Sequence, residues 1–154
     1  MLTDYKKEQR AQTNRAFAEK QAALGLRTYR FSLPASAQED FNQDAERARA
    51  EHYQRLVDTL PDTAPELLIL AESNRPQPLP TEAVEAALEA GFSTLVSDYQ
   101  SRLDAAVAAE NEALSLQKGG CAAASVRKRA EAYVQACFMK LYKNLILAVL
   151  EEKA

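Results

Sequence analysis

Leu116-Gln117-Lys118-Gly119-Gly120-Cys121-Ala122 stands between two long helical repeats. Two adjacent glycines, in a chain that has only four, read as a helix stop and a turn. Upstream, Val84, Leu88, Phe92, Leu95, Val96, Tyr99, Leu103, Val107 and Leu114 hold one apolar stripe through a helix opened by Thr81. Gly91 sits inside that stripe and marks either a close helix contact or a bend. Downstream, Val126, Ala130, Tyr133, Val134, Cys137, Phe138, Leu141, Leu145, Ile146, Val149 and Leu150 form a second stripe, in a helix from about Ala122 to Glu152. Two such helices across a Gly-Gly turn predict an antiparallel helical hairpin. From Phe138 onward the apolar arc is wider than one neighbouring helix covers, so a further element must pack on it. The candidates are the segment 65–73 and a second copy of the chain. In the second case Phe138, Leu141, Leu145 and Val149 are the self-association residues.

Moving toward the N-terminus, Arg75-Pro76-Gln77-Pro78-Leu79-Pro80 reads as an extended linker. Before it, Leu67, Leu68, Ile69 and Leu70 form the body of a short helix from Pro65 to Ser73. A charged helix with Phe41, Ala45, Ala48, Tyr53, Leu56, Val57 and Leu60 precedes that one and ends at Pro61. Ser36 and Glu39 have capping-box spacing at its start. Asp4 to Leu24 predicts a first helix, stopped by Gly25. Between these two lies Leu26-Arg27-Thr28-Tyr29-Arg30-Phe31-Ser32-Leu33-Pro34, which alternates cleanly and predicts one short β-strand. Tyr29, Phe31 and Leu33 share one face; Thr28, Arg30 and Ser32 share the other. A lone strand leaves backbone donors and acceptors unpaired, and the same strand of a second copy satisfies them. The expected fold class is therefore all-α: a helical bundle with a long antiparallel hairpin, plus one N-terminal strand pairing across a homodimer. The expected parts are residues 1–60 (basic helix, strand, charged helix), 61–80 (short helix and Pro-rich linker) and 81–154 (hairpin).

The net charge of −3 is unevenly placed. Residues 1–30 carry seven basic and three acidic side chains, or +4; the remainder carries 12 against 19, or −7. A basic arm on an acidic body is a layout of nucleic-acid binders. Candidates for enzyme chemistry are few. His52 is the one histidine and has Arg49 three residues before it, which rules out an E-x-x-H metal pattern. Cys121 and Cys137 fit no zinc or redox spacing. On one helix they would lie roughly 24 Å apart, too far to bridge. Gly119-Gly120 belongs to no phosphate loop. No catalytic residue, metal or cofactor is expected. Thr3 to Arg15 is too polar for a signal core, and the longest apolar run, Leu145 to Leu150, is far short of the ~18 residues that span a bilayer. The expectation is a cytoplasmic protein with reduced thiols and no membrane association.

Residues 14–34, Asn-Arg-Ala-Phe-Ala-Glu-Lys-Gln-Ala-Ala-Leu-Gly-Leu-Arg-Thr-Tyr-Arg-Phe-Ser-Leu-Pro, resemble the opening of short ribbon-helix-helix proteins of plasmids and phages. There a charged helix and a Gly-Leu pair precede an alternating strand that ends in Leu-Pro. The resemblance implies a dimer built on the strand, with Thr28, Arg30 and Ser32 reading DNA. Arg15, Lys20 and Arg27 would then add phosphate contacts, and Tyr29, Phe31 and Leu33 the self-association face. One departure is that the family turns about a dozen residues after the strand, whereas Ser36 to Leu60 holds no Gly or Pro. The functional expectation is a dimeric DNA-binding accessory or regulatory protein of a mobile element. The alternative is a small helical protein-binding module or inhibitor acting on a host or defence-system protein.

Overall fold

The computed structural model describes residues 2–153. It holds α1 (Leu2–Ala23), a 3-10 turn (Ala35–Ala37), α2 (Gln38–Thr59), α3 (Pro65–Glu72), α4 (Thr81–Glu89), α5 (Ser93–Lys118) and α6 (Ala122–Lys153). The all-α class and the helical hairpin stand. The strand does not: residues 26–34 have no regular secondary structure, and no strand occurs among the described residues. A strand exists as a hydrogen-bonded ladder, and among the described residues no second strand stands beside this alternating segment to complete one.

The chain divides into two compact units, residues 1–33 and residues 34–154. The first is α1 with the irregular segment after it. Every side chain from Thr3 to Lys20 is exposed, as expected of a helix with so sparse an apolar face. The helix closes through Gly25 N–H to the Ala22 carbonyl (3.0 Å) and Leu26 N–H to the Gln21 carbonyl (2.8 Å), the paired bonds of a Schellman stop.

In the second unit α6 is the common partner, packed by α2, α3, α4 and α5. Both α2 and α3 pack on α6 within one chain, and beyond Phe138 the helix meets Glu46 of α2 through Lys140 and the cluster of Leu79, Ala87 and Tyr99 through Met139 and Ile146. Tyr53 and Val57 of α2 and Leu67 and Leu70 of α3 are buried, and the Tyr53 and Tyr133 rings lie tilted against each other with centroids 5.8 Å apart. On another side Leu79, Ala87, Val96, Tyr99, Met139 and Ile146 form a cluster, with Phe92, Leu103 and Tyr142 packed around it. Near the hairpin turn small residues let α5 and α6 approach: the buried Ser125 hydroxyl donates to the Ala113 carbonyl at 2.7 Å.

The stripe from Thr81 to Lys118 is two helices rather than one. At Gly91 (φ +89°) the chain enters the left-handed region that side chains disfavour. Gly91 N–H bonds the Leu88 carbonyl (3.1 Å) and Phe92 N–H the Ala87 carbonyl (3.0 Å), ending α4. A Cβ built at Gly91 meets nothing within 4 Å, so the glycine serves the bend and no close contact. The same pattern at Gly120 (φ +81°) makes the hairpin turn. Leu88, Val107 and Leu114 are exposed, and the buried face of α5 runs instead through Val96, Tyr99 and Ala113.

Ser36 does not cap α2. It lies inside the 3-10 turn, the α2 N-cap position is Ala37, and no side chain caps it. Glu39 instead accepts from Gln43 one turn on, at 3.1 Å. The Pro-rich run is held rather than free. Leu79 N–H donates to the buried Tyr99 hydroxyl at 2.6 Å, Lys143 Nζ reaches the Gln77 carbonyl at 3.2 Å, and Arg75 pairs with Glu110. Arg127 turns back to the end of α2, where its guanidinium meets the Val57 and Leu60 carbonyls and Asp62.

Candidate functional site

The DNA-contact candidates all belong to the first unit, and all are exposed. On α1, successive residues turn by about 100°. That projection puts Lys6, Arg10 and Lys20 within about 80° of one another on one face, with Lys7 beside them. Arg15 falls on the opposite side, among Asp4, Glu8 and Glu19. The helix is thus divided lengthwise into a cationic and an acidic face. Lys6 and Lys20 are separated by about 21 Å along the axis. Of the two α1 residues expected to touch phosphate, only Lys20 lies on the cationic face. Lys6, Lys7 and Arg10 were not singled out from sequence, although the same projection on a continuous helix identifies them.

None of the seven cations of this unit is held in an ion pair among the described residues. The second unit differs: Arg49, Arg75, Arg127, Lys128 and Lys140 each pair with a carboxylate. Lys128 binds Glu131 at 2.9 Å and Glu112 at 3.4 Å. Arg129 bonds Gln117. The basic residues after the hairpin turn are therefore occupied inside the fold.

Beyond α1, Arg27, Thr28, Arg30 and Ser32 are exposed in the irregular segment. Tyr29, Phe31 and Leu33 are also exposed, at 76%, 58% and 44%. The other proposed self-association residues have a different setting. Leu141 is 1% exposed, inside the fold of one chain, and is no surface residue. Phe138 is half-buried, with the Arg102 guanidinium 4.1 Å above its ring. Leu145 and Val149 are half-buried.

The thiols and the histidine complete the inventory of reactive groups. His52 is half-buried, its ring 6.2 Å from that of Tyr53. Cys121 is exposed just past the hairpin turn. Cys137 is buried beside Tyr133, and burial pushes its thiol up to about 11, with the Tyr133 hydrogen bond opposing. Burial likewise raises Tyr133 and Tyr53. A thiol held neutral in this way is a packing residue rather than a nucleophile. At pH 8, Ellman's reagent is expected to titrate one thiol of the native chain promptly. Cys137 should react roughly 100-fold more slowly than an unperturbed thiol, from its lost thiolate fraction alone. Cys121→Ser should remove the fast phase, and prompt reaction of both thiols would contradict the burial of Cys137.

Among the described residues, no three His, Cys, Asp or Glu side chains converge as metal ligands, and no helix is long and apolar enough to cross a membrane. No protein-family model matches the chain, and searches of the curated proteins and of the solved structures give no significant match.

Proposed function

We propose that this chain is a non-catalytic DNA-binding protein of the accessory or regulatory kind found on mobile elements. It would lay its basic N-terminal unit on the phosphate backbone and dimerise by pairing residues 26–33 with those of a second copy. The observation that carries the reading is the lengthwise division of α1. Four exposed cations, Lys6, Lys7, Arg10 and Lys20, share one side with no carboxylate among them, and no ion pair competes for them. A row of cations clear of carboxylates suits a polyanion, where each phosphate contact releases counterions. Pairing would turn the alternating segment into a two-stranded ribbon, which fits a major groove with Thr28, Arg30 and Ser32 outward. The assignment to mobile elements rests on the ribbon-helix-helix resemblance alone, and α2 continues unbroken where that family turns.

The test is fluorescence anisotropy of a labelled duplex at 50 and 200 mM salt. Four phosphate contacts predict a loss of affinity of about 100-fold between the two salts. Lys6→Ala, Arg10→Ala and Lys20→Ala together should flatten that dependence, whereas Arg15→Ala should leave it nearly unchanged. Arg30→Ala should weaken preference among sequences more than overall affinity. A second reading is favoured by the exposure of Tyr29, Phe31 and Leu33, namely a protein-binding module whose arm adds a strand to a partner's sheet edge. Absence of binding at 50 mM salt would reject the DNA reading and leave that one.

A further inference from the structure

A cleft of about 340 Å³ opens in the second unit between α2, the segment after α3 and the second half of α6. Its size is that of a small-molecule site. Four cations line it, Arg49, Arg75, Lys140 and Lys143, against one carboxylate, Glu46. They converge from three parts of the chain: Arg49 from α2, Arg75 from the Pro-rich segment, and Lys140 and Lys143 from α6.

Glu46 cannot balance them. A single oxygen of its carboxylate serves both Arg49 Nη1 at 3.2 Å and Lys140 Nζ at 3.6 Å. Lys143 Nζ has only the Gln77 carbonyl, a neutral acceptor, at 3.2 Å. Arg75 meets Glu110 and the Arg129 carbonyl, and burial with the nearby Arg129 guanidinium lowers its pKa from the ordinary arginine value. An acidic body has thus gathered positive charge at this cleft, with Tyr133 and Pro76 forming an apolar wall.

We propose that this cleft binds a small phosphate monoester, its phosphoryl oxygens held by Arg49, Lys140 and Lys143 and its organic part against Tyr133 and Pro76. A monocarboxylate would answer one of the cations. A phosphate monoester carries roughly −1.5 to −2 and three acceptor oxygens, which matches both the surplus charge and the number of donors. Asn74 and Asn144, also at the cleft, supply neutral donors and acceptors for the remainder of the ligand. Glu46 has a double effect: it holds Arg49 and Lys140 in place, and its charge opposes an incoming anion.

The experiment is a ¹H–¹⁵N titration of the full chain with inorganic phosphate, adenosine 5′-monophosphate and uncharged adenosine. The monophosphate should bind saturably, shifting amides in 74–77 and 133–144. Adenosine should bind at least about tenfold more weakly. Lys140→Ala, at a half-exposed position that the fold does not need, should weaken the monophosphate at least about tenfold, and Glu46→Gln should strengthen it several-fold. The triple substitution Lys6→Ala, Arg10→Ala and Lys20→Ala should change nothing here, which separates this site from the proposed DNA surface. Phosphate binding as tightly as the monophosphate would overturn the role of the apolar wall. Adenosine binding equally well, indifference to Lys140→Ala, loss in the triple variant, or no saturation below about 10 mM would each overturn the site.

Discussion

Ile146→Ala is expected to destabilise the second unit by about 3–4 kcal/mol. Ile146 has no exposed surface and joins a cluster to which α4, α5, α6 and the segment before α4 all contribute, through Ala87, Tyr99, Met139 and Leu79. Deleting three carbons there removes apolar burial and leaves a void that four separate pieces of chain would have to shift to fill. The adjacent Leu147 is 38% exposed, so Leu147→Ala is the control and should cost less than about 1 kcal/mol. Urea unfolding followed by circular dichroism measures both. A change at Ile146 no larger than at Leu147 would mean that the cluster is not close-packed.

Arg127→Ala is expected to cost about 2 kcal/mol, although it removes no apolar core. The last carbonyls of a helix lack partners within the helix and carry its partial negative charge. One guanidinium here reaches one of them, on Val57, together with the carbonyl of Leu60 just past the helix end, and pairs with Asp62 as well. The group is partly exposed, so water replaces some of what is lost, and the figure is set below the sum of three charged hydrogen bonds. Arg127→Lys keeps the charge but not the planar fork, and should recover less than half of the loss. Hydrogen exchange should accelerate locally, in the last turn of α2, with both substitutions. Unchanged exchange there would show that α2 ends stably without Arg127.

Much of the fold was legible from residue spacing. Pro61, Pro65 and Gly119-Gly120 delimit α2, α3 and the hairpin because proline and glycine act locally, whatever surrounds them. The width of the apolar arc on α6 announced extra partners, and α6 indeed packs against α2 and α3 as well as α4 and α5. What escaped was long-range. Arg127 looks like one of several basic residues after a turn, and only the return of α2 to α6 gives it a purpose. Leu79 looks like part of a spacer until Tyr99 offers its hydroxyl. The Ser36–Glu39 spacing suits a cap, yet Pro34 began a 3-10 turn first. The alternation of residues 26–33 is real, but alternation describes a strand's faces and supplies no partner. The candidate site was half legible: the charge of the N-terminal arm was plain in composition, while its division into two faces needed an unbroken α1.

The central place of α6 has a consequence in time. α2, α3, α4 and α5 all pack on a helix that follows them in the chain. During synthesis each therefore leaves the ribosome before the surface it needs exists. The apolar faces of α2 and α3 must wait without their α6 partner until that helix has emerged, a span in which an exposed apolar segment can be captured by a wrong neighbour. Early docking among the first helices cannot shorten that wait, because most of their contacts are with the last. The unit can therefore close only when α6 has joined it, and until then the apolar faces of the earlier helices stay open to competing contacts.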